Sequence, residues 1–237
     1  MKKILITGGS GRFGSVIKNS NNKNLKMFFP NKKQLNILDI KKIRKYIKKI
    51  KPDYLLHLAG LSRPMQIHDI DIKKSIDLNI IGTANITKVC EEQNIKLIYF
   101  STNYVYPGVK GNYKENDPLL PVNNYAWSKL GGEASVQLYK NSLILRVCMT
   151  EKPFVHKSAF VNVKTSFAYH DDVVRILFKV LDQKGVLNIG GKSKYIYEFA
   201  KKDNKDVKKI RLKKKNDIGM PMNSSINIQK LNNILNK

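Results

Sequence analysis

The sequence predicts an α/β fold, a doubly wound parallel sheet with a smaller carboxy-terminal lobe. Short apolar runs alternate with segments of helical period, the pattern of strand–helix–strand units. The first run ends at Thr7 and opens into Gly8-Gly9-Ser10-Gly11-Arg12-Phe13-Gly14, a glycine turn set between a strand and a helix. Further on, Tyr125-Ala126-Trp127-Ser128-Lys129 begins a helix about one strand–loop length after Ser101-Thr102. Each motif alone recurs by chance, but this order along the chain is informative.

Residues 3–7 read as a buried first strand and 13–18 as the helix that the glycine turn opens. A short second strand covers 26–29, unusually close behind that helix. Ile43, Ile47 and Ile50 repeat at helical spacing within 40–51 with lysines on the other face, which predicts a surface helix ended by Pro52. A strand over 54–58 runs into Ala59-Gly60, followed by a long helix over 73–93 and a strand over 97–100. Residues 125–139 form the next helix and 142–147 the next strand. Beyond Glu151 the alternation loosens. A helix over 171–181, a strand over 186–189, a short helix over 197–202 and a strand over 207–212 are expected there, the last within a solvated Lys/Asp/Asn-rich stretch over 201–216. No Gly/Ser linker separates a second domain. The expected organisation is a dinucleotide-binding unit over 1–150 with a small substrate-binding lobe over 151–237 packed on it as one compact body.

At 237 residues and 42% hydrophobic the chain can bury a full core. The net charge of +26 raises nucleic acid or an anionic membrane as partner. The distribution argues against both: lysines are scattered over every amphipathic segment beside abundant Asn and Ile, as in a chain drifting under AT-rich codon use. No apolar run approaches the ~20 residues of a membrane span, and the apolar start stops at Gly8-Gly9, short of a secretory signal. A cytoplasmic location is expected. Cys90 and Cys148 lie far apart without metal-ligand spacing, so neither a disulfide framework nor a zinc site is suggested.

The glycine turn has the context of a dinucleotide fingerprint: Gly8 for the tight turn, Gly11 for backbone approach to a pyrophosphate, Gly14 for close packing, with Phe13 opening the helix. The acidic residue that usually takes the ribose hydroxyls is missing, since the second strand ends Phe29-Pro30-Asn31-Lys32-Lys33. Arg12, with Lys32 and Lys33, can pair with a 2′-phosphate, which favours NADP(H) over NAD(H). Asp39, before Ile40, can accept from an adenine amino group or serve as a helix N-cap. Leu58-Ala59-Gly60 lets backbone lie against a cofactor or is a plain turn. Asn79, inside the long helix, can order a water or backbone group near the active lysine. Tyr125 and Lys129 share one helix face. A phenol of pKa ~10 needs a nearby cation to act near neutrality, and Lys129 can supply it while Thr102 holds the substrate oxygen.

With these residues the chain resembles an extended short-chain dehydrogenase/reductase, and within that superfamily the dTDP-4-dehydrorhamnose reductase group. The specific stretch runs Ser101-Thr102-Asn103-Tyr104-Val105-Tyr106-Pro107-Gly108, Tyr113-Lys114-Glu115-Asn116-Asp117, Pro121, then Tyr125 to Lys129 and Gly132-Glu133. It is similar to that group's Ser-Thr-Asp-Tyr-Val-Phe-x-Gly, Tyr-x-Glu-x-Asp, Pro and Tyr-Gly-x-x-Lys-x-x-Gly-Glu run. Leu143 to Arg146, Asp171-Asp172-Val173 and Asn188 to Gly191 are similar to elements of extended members. The resemblance implies a Rossmann-type fold, Thr102, Tyr125 and Lys129 in catalytic positions, Asn103 and Tyr104 beside the substrate, and the glycine loop with Ala59-Gly60 on the cofactor. Asn103 replaces the group's usual Asp. The chain is shorter than most relatives beyond Glu151. The acidic residues of metal-assisted members have no counterpart, so no metal is expected.

The implied activity is reduction of a nucleotide-activated 4-keto-6-deoxy sugar, with a homodimer as an allowed assembly. An epimerase that keeps its NAD(P) bound is the alternative, and a noncatalytic or nucleic-acid-binding descendant a third. A 4,6-dehydratase needs Asp-Glu after the catalytic Thr, where this chain has Asn103-Tyr104.

Overall fold

The computed structural model describes residues 1–20, 22–213 and 219–236. A parallel six-stranded sheet dominates it. The chain runs β1 (Lys2–Thr7), α1 (Arg12–Asn19), β2 (Leu25–Phe28), α2 (Ile40–Ile50) and β3 (Tyr54–His57). Two short helices follow, α3 (Ile67–Ile70) and α4 (Ile72–Ser75); a π-helical segment, Ile76–Ile81, then leads into α5 (Gly82–Glu92). Next come β4 (Lys96–Thr102), a 3-10 turn at Asn103–Val105, α6 (Asn124–Gln137) and β5 (Ser142–Val147). The remainder comprises β6 (Met149–Thr150), β7 (Ser158–Phe160), β8 (Lys164–Thr165), β9 (Ala168–Tyr169), α7 (His170–Val180), β10 (Gly185–Ile189), β11 (Lys194–Tyr195), α8 (Ile196–Ala200), β12 (Lys208–Ile210) and α9 (Gln229–Leu235).

The strand order is β10-β5-β4-β3-β1-β2, with every neighbouring pair in the sheet parallel. From β1 the chain steps to one side for β2 and to the other for β3, so the order reverses at β1. The carboxyl ends of β1 and β3 therefore flank the crevice where open α/β sheets take ligands. Helices cover both faces, which is why the strands read as continuous apolar runs. Ile4, Ile6 and Leu56 pack on one face with Phe13, Ile17, Val173 and Leu177, while Leu5 and Leu55 pack on the other with Ile43, Ile47, Ile86 and Val89.

With one exception, every strand and helix expected before Glu151 is present with small shifts at its ends. The single long helix expected over 73–93 is instead α4, the π-helical segment and α5 in succession. Asp39 has the cap role: its side chain accepts from the backbone N–H of Lys42 at 3.0 Å. Beyond Glu151 the chain also returns to the sheet. The expected division at residue 150 runs through the sheet, because β10 hydrogen-bonds to β5 and α7 packs against α1. A separate small core of Phe154, Ala159, Val163, Ile196, Ala200, Val207 and Leu212 does form from the carboxy-terminal segments. Of the solvated stretch expected over 201–216, residues 214–216 lie outside the described residues. Among the described residues, no helix is long and apolar enough to cross a membrane.

Candidate active site

The glycine turn is shaped by its neighbours. Gly8 has φ +74°, and a Cβ there would lie 2.6 Å from the backbone nitrogen of Ala59, so the β1 and β3 turns touch directly. A Cβ on Gly14 would lie 2.6 Å from the Gly8 carbonyl oxygen, which seats α1 on the turn. At Gly11 an added Cβ would meet only the Gly8 oxygen, at 3.2 Å, and otherwise open space. Gly11 is also the N-cap of α1: it supplies no capping side chain, and the first turn holds no acidic residue. A side-chain-free turn beside an uncapped helix amino end fits the pyrophosphate of a dinucleotide. The Phe13 side chain turns into the core, its ring 5.0 Å from that of Phe100, leaving the Phe13 backbone for a ligand. Ile40 and Leu58 are half-buried against the two core clusters.

Arg12 has a partner within the chain. Its guanidinium pairs with Glu151 at 3.3 Å, beyond β5 and on the side of β1 opposite to β2, drawn there by the carboxylate. Lys32 and Lys33, exposed after β2, remain as cations at that end.

A buried chain of hydrogen bonds fixes the β3 turn. His57 Nδ1 lies 2.7 Å from Thr7 Oγ1, which accepts from the Ala59 backbone N–H, and His57 Nε2 lies 3.2 Å from Thr83 Oγ1. Burial pulls the His57 pKa down to about 3, so the imidazole is neutral at physiological pH. Asn79, in the π-helical segment, accepts from Leu61 N–H at 2.7 Å and donates to Leu61 O at 2.9 Å and to Ser128 Oγ at 2.8 Å. One side chain thus ties the turn after β3 to the helix carrying Tyr125 and Lys129. The expected role of Asn79 near the lysine becomes this direct fastening.

Thr102 ends β4 and stands beside Tyr125 on α6. The Tyr125 phenol is raised above the ordinary tyrosine value by burial, opposed by the Thr102 hydroxyl and by Arg63. The charge that favours the Tyr125 phenolate is that of Arg63. Lys129 lies over the Tyr99 ring, its Nζ 4.2 Å from the ring centre, and its carbonyl accepts from the Tyr99 hydroxyl. Burial draws its pKa down to about 7, partly offset by Glu133. The unfolded chain keeps that proton to about 10.4, so charged Lys129 burdens the folded state most below pH 7, and the burden is relieved as pH rises from 7 towards that unfolded value. Lys129→Met is accordingly expected to melt above the parent protein at pH 6, with the gap closing towards pH 10. A gap independent of pH in thermal melts would show that the lysine is well solvated.

Of the two remaining expected residues, Asn103 is buried with Nδ2 donating to the Ser224 carbonyl at 2.9 Å, a bracing contact that ties its side chain to the carboxy-terminal segment. Tyr104 is half-buried and its hydroxyl faces Met220 Sδ at 3.8 Å. The sequence alone assigned no role to the side chains of His57, Arg63, Glu133, Arg146 and Glu151. Arginine in a chain whose cations are nearly all lysine was the available signal, since the planar fork of Arg63 and Arg146 serves pairings that lysine cannot make. Arg146 and Glu133 are buried together: Arg146 Nε donates to Glu133 Oε1 at 3.0 Å, Ser101 Oγ to Glu133 Oε2 at 2.7 Å, and Arg146 Nη1 to Tyr106 OH and Glu115 O, each at 2.9 Å.

Comparison with known proteins agrees with this architecture. The family model described as RmlD substrate binding domain matches residues 1–185. A methionine adenosyltransferase 2 subunit beta from Xenopus laevis is 30% identical over 155 residues, 62% of this chain and 46% of the relative, so the chain spans less than half of that relative's length. A dTDP-4-dehydrorhamnose reductase from Aggregatibacter actinomycetemcomitans is 27% identical over 192 residues, 78% of this chain and 62% of the relative. The crystal structure of dTDP-4-dehydrorhamnose reductase from Bacillus anthracis in complex with NADP superposes with a TM-score of 0.87 at 23% identity, covering 100% of this chain and 93% of that one. At that identity the likeness shows the fold.

Proposed function

Since the chain belongs to the RmlD substrate binding domain family, we propose that it is an NADP(H)-dependent reductase of a nucleotide-activated 4-keto-6-deoxy sugar. One observation carries the reading: a phenol kept protonated by burial, Tyr125, stands beside the Thr102 hydroxyl at the carboxyl edge of the sheet that also bears the side-chain-free glycine turn. The dTDP-4-dehydrorhamnose reductase names and the NADP complex among similar proteins support it.

Bound NADPH supplies the hydride. Gly8, Gly11 and Gly14 leave room for its pyrophosphate at the amino end of α1, and Asn79 holds the turn after β3 at the opposite wall. The absence of an acid after β2 removes repulsion of a 2′-phosphate, and Lys32 and Lys33 attract it. Thr102 and Tyr125 donate to the keto oxygen, Tyr125 gives its proton to the alkoxide as the carbonyl carbon is reduced, and the phenolate is reprotonated from solvent. Lys129, on the same face of α6, orients the ribose of the cofactor.

The test is stoichiometric. Mixed with NADPH and a set of nucleotide-linked 4-keto-6-deoxy sugars, the protein should consume NADPH in proportion to product and carry deuterium from labelled cofactor to the reduced carbon, with NADH a poorer donor. Interconversion of sugars with bound NAD and no net NADPH loss would assign an epimerase. The subunit-beta relatives favour a second reading, a binding subunit that holds the dinucleotide without turning it over. Tight NADPH binding with no oxidation across the whole substrate set would move the assignment there.

A further inference from the structure

Glu151 follows β6 and places one carboxylate oxygen, Oε1, 3.3 Å from the Arg12 guanidinium and 3.2 Å from that of Arg63. Its other oxygen, Oε2, is buried without a hydrogen-bond partner among the described residues. The three residues come from three parts of the chain: Arg12 opens α1 behind the glycine turn, Arg63 follows the Ala59-Gly60 turn, and Glu151 lies past β5. Their bridge therefore links the segments bordering the crevice. The Arg63 charge also favours the phenolates of Tyr125 and Tyr104.

The charges do not balance. Two guanidiniums share one carboxylate oxygen, and the amino end of α1 adds positive potential with no acid in its first turn. Each guanidinium can make two parallel bonds to a phosphate, whereas here both compete for a single oxygen. We propose that Glu151 is an internal counter-anion, holding Arg12 and Arg63 in place over the crevice until the diphosphate of an entering ligand takes both guanidiniums from it. The dinucleotide and a nucleotide-activated sugar each carry such a diphosphate. The inference rests on the function proposed above in one respect, that the ligand entering this crevice carries that group.

The experiment is calorimetric titration of the intact protein, Glu151→Gln and Arg63→Met with NADP⁺ and, separately, with dTDP, at one ionic strength and with thermal melts of each protein. Removing the competing charge should tighten binding of at least one ligand by about twofold to fivefold, the scale of partly exposed ion pairs. Arg63→Met should weaken the same ligand by a similar factor. A gain confined to NADP⁺ identifies the dinucleotide's diphosphate as the occupant, and a gain confined to dTDP identifies the nucleotide sugar's. If Glu151→Gln melts early, Glu151→Asp withdraws the carboxylate by one methylene and should shift affinity in the same direction. Unchanged or weaker binding of both ligands by the folded variants overturns the proposal and makes Glu151 a structural tie, even where the intact protein binds NADP⁺ and the cofactor assignment stands. Tighter dTDP binding with no NADP⁺ binding in any variant keeps the proposal and removes the cofactor assignment. Failure of both ligands with every folded protein ends both.

Discussion

Tyr125→Phe is expected to bind NADPH as the parent does and to reduce a nucleotide-linked keto sugar about a thousandfold more slowly, within the range of a positioned general acid. Only the phenolic O–H is lost, and the ring remains to pack edge-on against His68, whose centroid is 5.3 Å away. The pH profile carries a second readout. Burial raises the phenol above its ordinary value of 10.0, so it stays protonated through neutrality, and the alkaline loss of the reduction rate should lie above the ordinary tyrosine range. Arg63 works the other way by favouring the phenolate, so Arg63→Met should move that limb further to the alkaline side. Stopped-flow single turnovers at several pH values separate this from slow product release. A Tyr125→Phe protein with the parent's single-turnover rate would transfer the proton donor's role to another group.

Glu133→Ala should cost about 3–5 kcal/mol of stability, because it strands the Arg146 guanidinium in the interior. Both side chains are almost wholly buried, 4% and 5% exposed, and the pair anchors a network reaching Ser101, Tyr106, Glu115 and Asn188. For a chain of this size the midpoint of thermal unfolding should fall by roughly 10 °C. The double variant Glu133→Leu, Arg146→Met should recover most of the loss, since removing both charges leaves no ion uncompensated. Denaturant titrations of the three proteins decide it. A Glu133→Ala loss under about 1 kcal/mol would mean that water reaches the guanidinium and that the site is wetter than its burial indicates.

The same network gives several residues that carried the resemblance a structural role. Glu115, Glu133, Arg146 and Asn188 sit in recognisable motifs, yet they brace one another beneath the site: Asn188 N–H donates to Glu115 Oε1 at 3.0 Å, and Asn188 Nδ2 to the Tyr113 carbonyl at 2.9 Å. A motif records that a residue type is needed at a position, and both bracing and catalysis create such needs.

What the sequence determined by itself was local or periodic in origin. Apolar runs of four to seven residues bounded by turns placed the sheet strands, because a strand covered by helices on both faces must be apolar throughout. The Gly8 to Gly14 spacing placed the turn, because only glycine tolerates φ +74° and a neighbouring backbone atom where a Cβ would stand. Tertiary structure alone decided which charges meet. Arg12 pairs with Glu151 and Lys129 lies over the Tyr99 ring, two contacts that no spacing in the sequence announced. Long side chains choose partners across the fold by desolvation and Coulomb attraction, which act over distances that sequence spacing does not encode. The return of β10 to the sheet after Glu151 has the same character: its pairing with β5 spans about forty residues of chain, and the register that joins Gly185 to Leu143 exists only once both strands are laid side by side.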